Sequence, residues 1–169
     1  QRSNDVKKYE DVDSYITNSI NDAIKSHLIS DVNIGVTLSS GIDSQILLKY
    51  ILQNNKSEIN AFTYGYDEIY YDESIDISNK IKNINIKHYI SKLHPKEMIS
   101  ELSSAIKYFE TPLGGLGTLS LYNLMKLIKK KETPVVLSGE GADEVFAGYK
   151  YYFYAYLYEI KKNKDFKKL

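Results

Sequence analysis

Cysteine and tryptophan are absent from the 169 residues, and arginine occurs once, at Arg2. Without cysteine the sequence has no disulfide, no thiolate zinc site and no cysteine nucleophile. One arginine beside the first residue leaves no bidentate guanidinium clamp for phosphate or carboxylate, so such work falls to lysine, metal or backbone amides. Neither sign of charge is in excess, with 22 Lys+Arg against 22 Asp+Glu. That balance argues against a protein held to nucleic acid by bulk attraction. No apolar run approaches the ~20 residues of a membrane span and no signal-peptide pattern opens the sequence. A cytoplasmic protein without membrane or nucleic-acid contact is the expectation. Internal repeats and low-complexity linkers are missing too, and the lysine-rich end from Lys161 reads as a frayed, solvated terminus. What remains is 43% hydrophobic, a length and content for one domain with a real core. Heavy use of isoleucine, lysine, asparagine and tyrosine reads as codon bias. The start at Gln1 instead of methionine reads as a processed chain or an excerpt.

Apolar periodicity orders the elements. Val12, Ile16, Ile20, Ala23, Ile24 and Leu28 recur at helical spacing, with Asp11 and Asp13 as available N-caps. Ile34 to Leu38 reads as a buried strand, and Ile46, Leu47, Tyr50 and Ile51 mark a second helix. A strand from Ile59 to Tyr66, a helix from about Asp72 and an alternating strand from Ile84 to Ile90 follow. Met98 to Phe109 is amphipathic and ends at Thr111-Pro112. Leu121, Leu124, Met125 and Ile128 give another helix, and Pro134 to Leu137 a fourth strand, so short and apolar that a central position is expected. Alternating strands and helices predict an α/β fold, a parallel sheet with helices on both faces. Ligands of such sheets bind beyond the carboxyl ends of the strands.

Two strand ends carry unusual chemistry. After the first strand comes Ser39-Ser40-Gly41-Ile42-Asp43-Ser44, running directly into a helix. Small residues, hydroxyls and a helix N-terminus suit an anion. A carboxylate such as Asp43 in that setting points to a divalent cation between it and the phosphates. An ordinary strand-to-helix turn capped by Ser and Asp fits the hexapeptide equally well. It is not a Walker A loop, because the Gly-Lys-Ser/Thr ending is absent. After the fourth strand comes Ser138-Gly139-Glu140-Gly141-Ala142-Asp143-Glu144. Its three carboxylates repel one another unless a metal, a lysine or protonation intervenes. The glycines flanking Glu140 suggest close approach of a ligand. His27, His88 and His94 have no ligand spacing. Gly114-Gly115-Leu116-Gly117-Thr118 reads either as a flexible loop or as an acceptor-binding loop.

Together the two segments resemble the synthetase domain of the asparagine synthetase family of glutamine-dependent ATP pyrophosphatases. The family's pyrophosphate loop reads Ser-Gly-Gly-x-Asp-Ser, matched by residues 39–44 with Ser40 in place of a glycine. Its second signature, Leu-Ser-Gly-Glu-Gly-Ala-Asp-Glu, stands complete from Leu137 to Glu144, and the Phe-Gly-Gly-Tyr that follows is Phe146 to Tyr149 with only Ala147 different. The segment 137–149 is expected as one signature loop. Phe62 to Tyr66, Tyr71-Asp72-Glu73-Ser74 and Glu110-Thr111-Pro112 are similar to comparable pieces of the family, so the likeness covers roughly residues 11 to 155. Asp72 and Glu73 resemble an acidic spot there and equally suit the cap of the following helix.

The resemblance implies an adenine nucleotide alpha hydrolase-like (ATP pyrophosphatase) fold and one truncated synthetase domain over residues 1–169. It implies that ATP activates a carboxylate as an acyl adenylate, releasing pyrophosphate, and that ammonia then displaces AMP to leave an amide. Ser39, Ser40, Gly41, Asp43 and Ser44 would hold pyrophosphate, with Ser40 acceptable if its φ is negative. Asp43 and Asp143 would bind Mg²⁺. Leu38, Tyr64 and Gly139 would line the adenine slot through backbone groups. Glu140 would orient the substrate or take a proton from ammonia, and Tyr149 would stand beside the same reacting atoms. The family's downstream lysine falls beyond Leu169. The partners implied are a small carboxylate, aspartate first and a sugar acid of a surface polysaccharide second, and ammonia. The family's glutaminase half uses an N-terminal cysteine, so the ammonia would come from a separate glutaminase domain or free ammonium. A non-catalytic nucleotide-binding module is the rival from another class, but it has little use for Asp43, Glu140 and Asp143. A tRNA-modifying ATP pyrophosphatase would call for a basic face and cysteines. The tyrosines from Tyr149 to Tyr158 around Phe153 predict a helix with an aromatic surface, left bare in an excerpt or used to bind a partner.

Overall fold

The computed structural model describes residues 11–55, 57–68, 70 and 72–163; Arg2, Tyr71 and the lysine-rich end from residue 164 lie outside the described residues. The chain runs α1 (Val12–His27), β1 (Ile34–Thr37), α2 (Ile42–Asn54), β2 (Ile59–Gly65), α3 (Ser74–Ile81) and β3 (Ile86–Lys92). A short 3-10 turn (Pro95–Glu97), α4 (Met98–Phe109), α5 (Leu116–Lys130), β4 (Val135–Leu137), α6 (Ala142–Phe146) and α7 (Lys150–Asn163) complete it. The predicted alternation is therefore present, with two helices after β4 where one was expected. Local chemistry sets the ends. Asp11 caps α1 by accepting the Ser14 N–H at 3.0 Å. Two residues assigned to the third strand by their apolar pattern instead build its entry turn, where the Ile84 N–H donates to Ile81 O at 3.0 Å.

All strand pairs are parallel and the order is β3-β2-β1-β4. Period-two alternation divides the strand side chains between two layers. Val36, Ile59 and Ala61 pack with Ile24, Leu48, Ile51, Ile77 and Ile81 under α1, α2 and α3. Phe62 and the half-buried Tyr89 and Val136 pack with Leu124 and Ile128 of α5 on the opposite face. Phe62 and Tyr89 stack with ring centroids 5.4 Å apart.

The expectation that β4 is central is corrected. β1 and β2 are the inner strands, and β4 pairs with β1 alone among the described residues. Its apolar character has another source: Val136 faces the α5 layer and Leu137 the α2 layer. Face burial, not sheet position, selects apolar side chains in so short a strand. From β1 the chain winds outward through β2 and β3, then returns over the other face to place β4 beside β1. The crossover leaving β1 runs over the α2 face and the one entering β4 over the α5 face, so a crevice opens between the carboxyl ends of the two strands.

Candidate active site

A cavity of about 560 Å³ occupies that crevice, within the range of small-ligand sites. Both segments singled out in the sequence enter it: Leu38, Ser39, Gly41, Asp43 and Ser44 from the β1–α2 turn, and Gly139, Glu140, Asp143 and Tyr149 from the segment after β4. Tyr64, at the end of β2, lines it as well. Ten of the eleven predicted site residues therefore meet in one place, and Ser40 does not line it.

The β1–α2 turn is built by its own hydroxyls. Ser44, buried at 7% exposure, donates from Oγ toward Ser39 O (3.0 Å) and Gly41 O (3.1 Å), while its oxygen accepts the Ser39 N–H at 3.1 Å. Gln45 Nε2 donates to Ser39 O at 2.7 Å, and the Gly41 N–H donates to Ser39 Oγ at 3.2 Å. The Ser44 hydroxyl, expected on pyrophosphate, is thus engaged in shaping the turn. Gly41 stands at the N-cap of α2 without a side-chain cap, so the first-turn amides of α2 point their partial positive charge outward. Ser40 is not among the residues of positive φ, so serine replaces glycine there without backbone strain. Its N–H is taken by Glu73 Oε2 at 2.8 Å.

The second segment is not one loop: Gly141 turns the chain at φ 94°, α6 follows, and Ala147 closes it at φ 57°. Gly139 permits close approach of the two segments, since a Cβ there would lie 3.0 Å from Ser44 N and 3.1 Å from Asp43 C. Gly148 serves Asp143 likewise, because a Cβ would fall 1.9 Å from Asp143 Oδ1. At Glu144 a neutral donor offsets part of the expected repulsion among the three acids. The Tyr149 hydroxyl donates to Glu144 Oε1 at 2.6 Å. That bond holds the Glu144 carboxyl below the usual range and pushes the Tyr149 phenol up to about 12. Burial pushes Tyr64 to about 12 as well, aided by the nearby charges of Tyr66 and Glu140. Both phenols therefore stay protonated near neutrality.

Electrostatically the cavity is one-sided. Asp43, Glu140, Asp143 and Glu144 line it, and no Lys, Arg or His does among the described residues. No group of three or more His, Cys, Asp or Glu able to hold a metal occurs among the described residues. Two carboxylates nevertheless suit a cation that takes its remaining ligands from phosphates and water. Sequence reasoning missed the opposite wall, which is apolar: Phe62, Leu121, Leu124, Met125 and Val136. A signal was present in the α5 stripe, but helical spacing alone cannot separate a core face from a ligand-facing one. Here Leu121 is 37% and Met125 44% exposed. Gly114 to Thr118 does not line the cavity. Its last three residues open α5, whose N-cap Gly115 adopts φ 148°. Asp72 and Glu73 also lie off the cavity. Burial pushes the Asp72 carboxyl up, but hydrogen bonds from Ser74 and Lys92 outweigh it and hold it below the usual range.

The asparagine synthase family model matches residues 16–166. The chain is 33% identical over 138 residues to asparagine synthetase [glutamine-hydrolyzing] 1 of Bacillus subtilis (strain 168), covering 81% of this chain and 21% of that protein. It is 26% identical over 161 residues to the amidase chyE of Penicillium rubens, covering 87% of this chain and 24% of that protein. The chain thus spans about a fifth to a quarter of the length of these curated relatives. Among solved structures, the NH3-dependent NAD synthetase from Campylobacter jejuni superposes with a TM-score of 0.52 at 19% identity, over 80% of this chain and 60% of that one. The fold is accordingly the adenine nucleotide alpha hydrolase-like one.

Proposed function

Because the chain belongs to the asparagine synthase family, we propose that it carries the ATP-consuming half of an amidation. In this reading a substrate carboxylate oxygen attacks the α-phosphorus of ATP, and the bond to the β-phosphate bridging oxygen breaks. Acyl adenylate and pyrophosphate result. Ammonia then adds to the acyl carbon, AMP leaves, and the nitrogen loses a proton to give the amide. The observation that carries the reading is the cavity where the Ser39–Ser44 turn and the Gly139–Tyr149 segment converge.

Each group has a task. The uncapped first turn of α2 and the Ser39 hydroxyl meet the departing pyrophosphate. The base lies toward the apolar wall of Leu121, Leu124 and Met125, with the backbone near Leu38, Tyr64 and Gly139 reading its polar edge. Glu140 stands where the acyl group forms and accepts hydrogen bonds from ammonia or its proton. The Tyr149 hydroxyl, bonded to Glu144, keeps that acid ionised. Four carboxylates facing a polyphosphate, with no cationic side chain beside them among the described residues, require a divalent ion. Asp43 and Asp143 would hold Mg²⁺, which supplies charge neutralisation of pyrophosphate when bound.

Aspartate is the first candidate carboxylate. The likeness to a protein named as an amidase keeps a second in view, a different acid such as a sugar acid. We expect Asp43→Ala and Asp143→Ala each to weaken Mg²⁺-dependent ATP binding by at least about tenfold, because each removes one charged ligand of the ion. Calorimetric titration decides it, and wild-type affinity in both variants would sink the assignment. Pyrophosphate release against a panel of carboxylates then identifies the acceptor, and turnover with a sugar acid but not aspartate would overturn the preferred substrate.

A further inference from the structure

Asp72 and Glu73 are adjacent acids at the entrance of α3, and the fold gives them different work. Asp72 serves the helix: its Oδ1 accepts the Ser74 N–H at 3.0 Å, and its side chain pairs with Lys92 at 3.3 Å. Glu73 occupies the N-cap position yet makes no side-chain bond to its own helix. Its Oε2 crosses to the β1–α2 turn, 33 residues away in sequence, and accepts the Ser40 N–H at 2.8 Å.

That bond completes a lock on one peptide group. The carbonyl of the Ser39–Ser40 peptide accepts from Gln45 Nε2 at 2.7 Å and Ser44 Oγ at 3.0 Å. Its N–H end is held by Glu73. A peptide pinned at both ends cannot flip. A flip would swing the Ser39 carbonyl away from its donors and turn the dipole of that peptide around beside the anion-binding turn. We infer that Glu73 is a positioning residue: it locks the Ser39–Ser40 peptide so that the turn holds its anion-binding shape before nucleotide arrives. This rests on the reading of that turn as the phosphate site of ATP.

The electrostatics sharpen the test. A carboxylate this near the turn repels phosphates, so any favourable contribution from Glu73 comes through its hydrogen bond and not its charge. Glu73→Gln keeps an acceptor oxygen and drops the charge, whereas Glu73→Ala drops both. ATP titration with Mg²⁺ is expected to show about tenfold weaker binding for Glu73→Ala and wild-type or tighter binding for Glu73→Gln. Amide exchange read by NMR is expected to show the Ser40 N–H protected in wild type and Glu73→Gln and unprotected in Glu73→Ala. Should Glu73→Ala fail to fold, Glu73→Asp, one methylene short of the contact, replaces it with the same expected direction. Wild-type affinity in Glu73→Ala, or equal weakness in the Ala and Gln variants, would overturn the lock. If wild type itself shows no Asp43-dependent ATP binding, the proposed function fails. Ser40 exchange then decides the lock alone, with equal protection in wild type and Glu73→Ala counting against it.

Discussion

Ala147 sits at φ 57° and ψ 40° after α6, in the left-handed region that disfavours any residue with a Cβ. An L-residue there costs roughly 1–2 kcal/mol, and glycine recovers it less its own larger loss of chain entropy. The family motif has glycine at this place. The turn is nonetheless required, because it brings the Gly148 N–H to Asp143 O at 3.0 Å and Tyr149 to Glu144. We therefore expect Ala147→Gly to stabilise the fold by about 1 kcal/mol, measured as a higher urea midpoint with unchanged slope. A lower midpoint would mean that Ala147 contributes packing that outweighs its backbone strain. Gly148 is the opposite case, since no side chain fits between it and the Asp143 carboxylate.

Between elements, the decisive contact is the one the β1–α2 turn makes with the segment after β4. Gly139 lies against backbone, not a movable side chain, so a methyl group there forces the two segments apart. Gly139→Ala is expected to keep its circular dichroism spectrum and lose ATP affinity by roughly tenfold at most. The segments must give by a few tenths of an ångström, short of the ~1 Å misplacement that costs about two orders of magnitude. Undiminished ATP affinity would show that the spacing of the two segments is not critical. Much of this site was legible in the sequence because its polar residues sit consecutively at two strand ends, where the chain itself keeps Asp43 beside Ser44 and Asp143 beside Glu144. What was not legible depends on contacts between distant segments. The edge position of β4 follows from the return of the chain over the α5 face, and Val135–Leu137 would read the same in the middle of a sheet. The Glu73–Ser40 bond joins residues 33 apart. The Tyr149–Glu144 bond was likewise out of reach, because a phenol five residues on reaches back only through the turn at Ala147.

Across the whole molecule, stability against acid follows from how α3, β3 and β2 are tied together. Ser78 Oγ donates to Ser74 O at 2.7 Å, which leaves its oxygen to accept from His88 Nδ1 at 3.0 Å. His88 Nε2 is then the acceptor for the Thr63 hydroxyl at 2.8 Å, so the network fixes a neutral imidazole. Burial pushes the His88 pKa below its ordinary value of 6.5. The sign is direct: between the lowered folded value and 6.5 the unfolded chain binds the extra proton and the folded one does not. The contribution of His88 to stability is therefore flat above about pH 7, declines as pH falls through about 6.5, and levels off once the folded imidazole is itself protonated. Asp72, held low in the folded state, adds a separate loss only in the carboxylate range. Urea unfolding from about pH 7.5 to about pH 5 should show the decline in wild type and a flatter profile in His88→Gln, where a neutral amide takes the place of the ring. Equal slopes in the two proteins would assign the acid sensitivity elsewhere and leave the His88 network a packing feature only.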